Sequence, residues 1–357
     1  MRRGWMDWLP EEVPQEVLDG RIQSVARACR EQGVDALLLY SSFVRPARVS
    51  VLTHFVPFWS QAALVVTREG QTMLTMATTG RTVQWIQHCA VVDEVRVGPD
   101  IGHTVGQWLH DKQLVSSLAL ADGGDWPRPA LDSLKRALPD AALHEANAWY
   151  DRLDADFGPT PPVATRAFEL VRRGLAQVDE VSPGADPDRG AHEIVAAVDG
   201  YCRAGGAEEV SVLVAPDLLQ SATPRRLEGA VHLGAHFGVQ LSVAYKGHWL
   251  RCASSFTRQG SSVVEWPACA EWRQRLRQGP IAPGQTAGAW ARQLGAGSTQ
   301  ALLADWWLEA RSGGLPLACV AAQGHAEDTP VPGFATFSAL LRTEGRAGLV
   351  AEPLLGC

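Results

Sequence analysis

Apolar positions recur at helical spacing from Leu18 to Gly33, and Gly33 stands where a helix C-terminus favours a left-handed residue. The short apolar run Val34–Tyr40 follows. Two runs, Gln61–Thr67 and Gln71–Ala77, flank Arg68-Glu69-Gly70 and read as strands of one hairpin. Val91–Val97 and Leu118–Ala121 are further strand candidates, separated by a helical stretch from His103 to Lys112. This alternation predicts an α/β unit ending near residue 150.

Asp156-Phe157-Gly158-Pro159-Thr160-Pro161-Pro162 cannot continue regular structure, because proline removes donors and fixes φ. It marks a boundary between domains at 1–155 and 160–357. Beyond it, Ala164–Val181 and Pro187–Arg203 have helical periodicity, and Val210–Ala215 and Val239–Tyr245 read as strands. A weak repeat appears when Leu175–Asp186 is set beside Arg275–Thr286. Each ends a helical segment in Pro-Gly, at Pro183-Gly184 and Pro283-Gly284, with another helix expected after it. Either an α-α-β unit is duplicated, giving a symmetric two-layer domain, or two common turns coincide.

The 357-residue length favours two domains, and 46% hydrophobic with 20% charged residues describes a chain that folds throughout. Net charge is -7, and internal basic residues cluster no more densely than pairs such as Arg172-Arg173 and Arg225-Arg226. Nucleic-acid partners are therefore not expected. Pro10-Glu11-Glu12 interrupts the N-terminus before any apolar signal segment forms, and no run has membrane-spanning length. The expected location is the cytoplasm. Seven scattered cysteines, with no CxxC or Cys/His cluster, fit reduced thiols better than disulfides or zinc.

The segment from Val239 to Arg251 contains Tyr245-Lys246-Gly247-His248, which resembles the signature strand pair of the creatinase and aminopeptidase P family, the pita-bread fold. Pro183-Gly184, Pro283-Gly284 and Gly348-Leu349-Val350-Ala351-Glu352-Pro353 fall in the family's order. Gly33–Leu39 and Val51-Leu52-Thr53-His54-Phe55 resemble its small N-terminal domain. The resemblance spans roughly residues 18–355. It implies a mixed α/β (α+β) protein, with a creatinase-type α/β domain followed by a pita-bread domain, and a homodimer.

The family's metal-dependent members hold two divalent ions with two Asp, one His and two Glu, since hard cations need anionic oxygen. Here the Asp positions read Gln240 and Arg251, and the His region reads Leu317-Ala318-Cys319-Val320-Ala321. The family's His-x-x-Pro element reads Ser221-Ala222-Thr223-Pro224. Glu352 matches one ligand, and the remaining Glu, expected on a later strand, has no position before Cys357. No metal and no cofactor are expected. An Arg251–Glu352 ion pair is expected to fill the vacated site, because a buried carboxylate needs a partner.

Creatinases resemble this family yet hydrolyse a C–N bond without metal, using a histidine. Their histidine position reads Ser221 here, so that mechanism does not transfer. His248 is a substitute base, although strand alternation points it opposite Arg251 and favours packing. His232, His236 and His325 are loop or surface candidates. Cys252 and Cys319 are either nucleophiles or small buried hydrophobes. Glu327-Asp328 is either an acid/base pair or a solvated loop. Arg45, Arg48 and Arg81 with Trp59 and Trp85 form an arginine-plus-aromatic constellation of the kind that recognises a carboxylate. In creatinase-like dimers this region covers the partner's site. Thirteen tryptophans are available for packing, and Trp59, Trp85 and Trp249 are candidate pocket walls.

The candidate set is therefore His248, Cys319 and Glu352 for catalysis, with Gln240, Arg251, Ser221, Arg45, Trp59 and Trp249 for substrate binding. Two functions remain open: a metal-independent C–N hydrolase acting on a small guanidino, ureido or N-acyl metabolite, or an inactive relative that binds a small molecule or peptide.

Overall fold

The computed structural model describes residues 7–42, 45–57, 60–181, 187–260, 262–279, 281–282, 284–296, 301–310, 331, 334–343 and 345–355. Among these, residues up to Pro162 and residues from Val163 onward form two compact units.

The first unit contains α1 (Gln15–Gln32), β1 (Ala36–Ser42), α2 (Ala47–Thr53), β2 (Gln61–Thr67), β3 (Thr72–Met76), α3 (Val83–Cys89), β4 (Glu94–Val97), α4 (Ile101–Asp111), β5 (Ser117–Ala121), α5 (Arg128–Ala137), β6 (Ala142–Glu145) and α6 (Asn147–Ala155). Gly33 closes α1 at φ 67°, its N–H bonded to Arg30 O, as the periodicity predicts. The hairpin expected around Gly70 forms, with β2 and β3 antiparallel. Six strands make one mixed sheet in the order β4-β3-β2-β1-β5-β6, and its central strands are buried on both faces. One apolar cluster includes Ile22, Leu37, Phe55 and Tyr150; the other includes Leu38, Val105, Trp108 and Leu134.

The second unit contains α7 (Pro161–Glu180), which begins at the end of the first, then α8 (Pro187–Ala204), β7 (Glu209–Ala215), β8 (His236–Tyr245), β9 (His248–Gln259), β10 (Ser262–Glu265), α9 (Pro267–Gln278), α10 (Ala287–Ala296), β11 (Leu302–Ala310), β12 (Phe334–Thr343) and β13 (Arg346–Leu355). The sheet order is β11-β12-β13-β9-β8-β7, with β10 on β9. That order reads the same from either edge: two helices and three principal strands, then the same again. The palindrome favours duplication over coincident turns. Of the two Pro-Gly turns, Pro183, Gly184 and Pro283 lie outside the described residues. Lys246 (φ 48°) and Gly247 (φ 79°) form the tight β8–β9 turn with both central residues left-handed, and Gly247 N–H donates to Glu208 Oε2 at 3.0 Å. Among the described residues, no helix is long and apolar enough to cross a membrane.

Candidate functional site

Strand parity separates the two faces of the second sheet. Along β9, Arg251 and Ala253 point one way and Cys252 the other. Register carries this outward: Ser242 lies opposite Arg251, Gln240 opposite Ala253, and Ala351 of β13 also opposite Ala253. Thr336 pairs with Pro353, so it and Ser338 share the Arg251 face, as do Glu309 and Trp307 across from them on β11. The Arg251 face is therefore polar at its centre. The opposite face carries Leu241, Cys252, Phe337 and Glu352, against which α7, α9 and α10 pack. Phe337 meets Trp290 edge-on at 5.2 Å, and a β-carbon on Gly174 of α7 would touch Leu241.

On the polar face, Arg251 pairs with Glu309 Oε1 through Nη1 and donates from Nε to Ser242 Oγ at 3.0 Å. Its backbone N–H donates to the Thr336 hydroxyl at 3.1 Å. Trp307 Nε1 donates to Glu309 Oε1 at 3.1 Å. Glu309 is 2% exposed and Arg251 8%. Burial pushes the Glu309 carboxyl upward, against the opposing effects of the Arg251 charge and the Trp307 hydrogen bond. It also lowers the Arg251 pKa, with Glu309 opposing. Arg251 nevertheless stays cationic at any pH at which the fold survives. Among the described residues, Glu309 Oε2 and Ser338 Oγ are buried without a hydrogen-bond partner.

Behind the sheet, Glu352 is fully buried among three guanidinium groups. Arg172 Nε lies 2.5 Å and Arg277 Nε 2.7 Å from Oε1, while Arg273 Nε lies 3.1 Å from Oε2. Cys252 Sγ donates to Oε2 at 3.4 Å. Burial alone would raise the Glu352 carboxyl. The hydrogen bond from Arg277 and the charges of Arg273, Arg277 and Arg172 outweigh it and hold the carboxyl below its ordinary value. The Cys252 thiol goes the other way, pushed up to about 12 by burial and by Glu352.

At the level of sequence, no family profile and no curated protein matches the chain. Solved structures do. An X-Pro aminopeptidase from Thermotoga maritima superposes with a TM-score of 0.67 at 15% identity, covering 94% of this chain and 94% of that one. An Xaa-Pro dipeptidase from Bacillus anthracis gives 0.68 at 16% identity, covering 95% of each. The N-terminal domain of the FACT complex subunit SPT16 from chickpea (Cicer arietinum) gives 0.55 at 11% identity, covering 96% of this chain and 94% of that one. This is the pita-bread fold.

Within the pita-bread sheet, the polar face offers Gln240, Ser242, Arg251 and Glu309 where the resemblance implies carboxylates and an imidazole. Its one central carboxylate is already paired with a guanidinium, so this donor set does not fit two divalent cations. Among the described residues, no three His, Cys, Asp or Glu side chains come together as metal ligands would. The expected Arg251–Glu352 pair does not form. The two side chains point to opposite faces, and each is paired elsewhere. A second correction follows: a carboxylate does face Arg251, but it is Glu309, from a strand before Glu352 and not after it.

The remaining candidates do not converge on the polar face as a set. Gln240 and Trp249 share it with Arg251 by parity, both half-buried. His248 points the opposite way, buried, its ring meeting Phe334 edge-on at 5.8 Å. Ser221 sits on an exposed loop between β7 and β8, its hydroxyl accepting from Thr223 N–H at 3.2 Å. His236 is half-buried, with Nδ1 3.1 Å from Thr257 Oγ1. Cys319, His325, Glu327, Asp328 and Trp59 lie outside the described residues.

In the first unit, Arg45 is about half exposed and pairs with Asp125. Arg48 is buried against Asp122 and Asp151 and lies 5.0 Å over the Tyr150 ring. Trp85 packs edge-on to Phe55 at 6.0 Å. Arg48 and Trp85 therefore serve packing within that unit. The residue that sequence reasoning missed is Glu309. No alternation marked it, because Asp305-Trp306-Trp307-Leu308-Glu309 sets three apolar residues together; only the strand shows Trp306 stacked on Phe337 behind the sheet and Trp307 and Glu309 facing the other way.

Proposed function

We propose that this chain is a non-hydrolytic pita-bread protein that binds a small polar metabolite, or the polar end of a peptide, on the Arg251 face of its second sheet. The observation that supports the reading is the Arg251–Glu309 pair, a permanent cation at the position where the resemblance implies a metal ligand. The unpartnered Glu309 Oε2 and Ser338 Oγ, with half-buried Gln240 and Trp249, supply groups to orient a polar ligand. The histidine and the glutamate expected to move protons, His248 and Glu352, point away from that face. Membership of SPT16 in the FACT complex is consistent with this fold being used in a complex subunit. A cytoplasmic homodimer belongs to the same reading, and a monomer by light scattering would remove the dimer.

The experiment is a thermal-shift screen with guanidino, ureido and N-acyl amino acids, each incubation also analysed by mass spectrometry. Stabilisation by a compound recovered intact, lost in Arg251→Met, is the expected result. Metal-independent C–N hydrolysis is the second reading. It is favoured by one observation: a buried Glu309 carboxyl, raised in pKa and with one oxygen unpartnered, has the properties of a general acid/base. Cleavage of any compound in the presence of chelator, abolished in Glu309→Gln, would establish that reading in place of binding.

A further inference from the structure

The helix side of the sheet holds a cleft of about 280 Å³ between α7 and α9, lined by Arg172, Arg173, Asp179, Glu265, Arg273 and Arg277. Three of these arginines, Arg172, Arg273 and Arg277, also hold the buried Glu352 beneath them. One carboxylate accounts for part of this positive charge and no more. Arg273 is held on two sides, by Glu352 and by Glu265 at 2.7 Å. Arg172 reaches Glu352 through Nε alone, its guanidinium 4.9 Å over the Phe168 ring, and makes no other hydrogen bond among the described residues. Arg277 uses Nε and Nη2 on Glu352 and keeps Nη1. Arg173 is exposed at the rim and has no ion-pair partner among the described residues. Four guanidinium groups thus face three carboxylates, Glu352, Glu265 and Asp179, and the unused N–H groups come from two helices. If the two Pro-Gly turns are equivalent, Arg173 and Arg273 occupy matching positions in the two halves of the duplicated unit.

We infer that this cleft is a binding site for a small phosphate-bearing molecule, built on the face of the sheet opposite Arg251 and separate from the site proposed above. A tetrahedral phosphate dianion offers acceptor oxygens in several directions, which suits N–H groups arriving from Arg172, Arg173 and Arg277 on two helices. A carboxylate offers only two oxygens in one plane, and so meets donors from fewer directions than the tetrahedral group does. The volume is at the small end for ligand sites, which limits the organic part of the molecule. Because the rim is open to solvent, binding weakens as salt rises.

The test titrates the full chain with inorganic phosphate by calorimetry at pH 7.5 and low ionic strength, with sodium chloride at matched ionic strength and malonate as comparisons. Binding of phosphate in preference to malonate and chloride is expected. Arg173→Gln, at an exposed position with no ion-pair partner among the described residues, should weaken phosphate by about tenfold or more without changing the melting temperature of the free protein. Asp179→Asn, which removes a rim carboxylate, should tighten it. Phosphate binding no better than chloride, malonate binding as well or better, or unchanged affinity in both Arg172→Gln and Arg173→Gln would each overturn the assignment. None of these outcomes depends on what the Arg251 face does.

Discussion

At the scale of single residues, the second unit is decided by which charge meets which. Two buried carboxylates, Glu309 and Glu352, lie on opposite faces of one sheet, and each is neutralised by arginine. Removing one partner of a buried pair leaves an uncompensated charge in low dielectric, whereas removing both can be nearly neutral. Arg251→Met and Glu309→Leu should each therefore destabilise the protein by about 3 to 5 kcal/mol, and the double variant by much less than their sum. Urea denaturation checks this, and additive losses would show that the pair is not coupled. Glu352→Gln should be the most damaging of these changes, because it leaves three guanidinium groups with an amide. Its sign with pH is fixed by the depressed Glu352 carboxyl. The stabilisation is present above the ordinary carboxylate pKa and is lost as pH falls through the lower folded value. Asp179 behaves oppositely. Its carboxyl is pushed up to about 6 by burial and by Glu265, against Arg273, so it disfavours the fold once it ionises. The penalty builds between the ordinary aspartate pKa and about 6, so Asp179→Asn should raise the melting temperature at pH 7.5 and change it little at pH 3.

At the scale of elements, the same substitution should have opposite signs in two helices. Gly20 lies on the exposed side of α1, with nothing within 4 Å of where an alanine methyl would stand, and Gly102 in α4 would place a β-carbon 1.8 Å from the Ala130 carbonyl oxygen of α5. Gly20→Ala should stabilise by about 0.5 to 1 kcal/mol, because alanine restricts the unfolded chain and favours helix. Gly102→Ala should destabilise by about 2 kcal/mol or more, since backbone cannot step aside without separating α4 from α5. Chemical denaturation of the two variants gives the comparison. Helices and strands with a clear period were legible in the sequence: α1, α4, α7, α8, β2, β3, β7 and β8 all form where their periodicity puts them, within a few residues at the ends. β11 was not, because Trp306-Trp307 reads as a continuous apolar pair until the strand is seen to send one ring to each face.

At the scale of the whole molecule, each compact unit has its own sheet and its own apolar clusters. Fragments divided at Gly158-Pro159, before α7 begins, should therefore each fold, and circular dichroism melts of the two would show cooperative transitions. A fragment that fails to melt cooperatively would show that its core depends on the rest of the chain. Local periodicity and the order of weak motifs determined the fold by themselves, because burying an apolar face requires a residue pattern that survives in the sequence even when identity to solved structures has fallen to 16%. The resemblance read from the sequence likewise implies that Gln240 and Arg251 stand where metal-dependent members of that family carry ligands. Only the tertiary structure decided their consequence. Glu309 and Glu352 are both glutamates on late strands, and a one-residue difference in parity sends one to Arg251 and the other to Arg172, Arg273 and Arg277. Charge pairing across a sheet depends on register between distant strands, and register is set by packing that no local window of sequence contains.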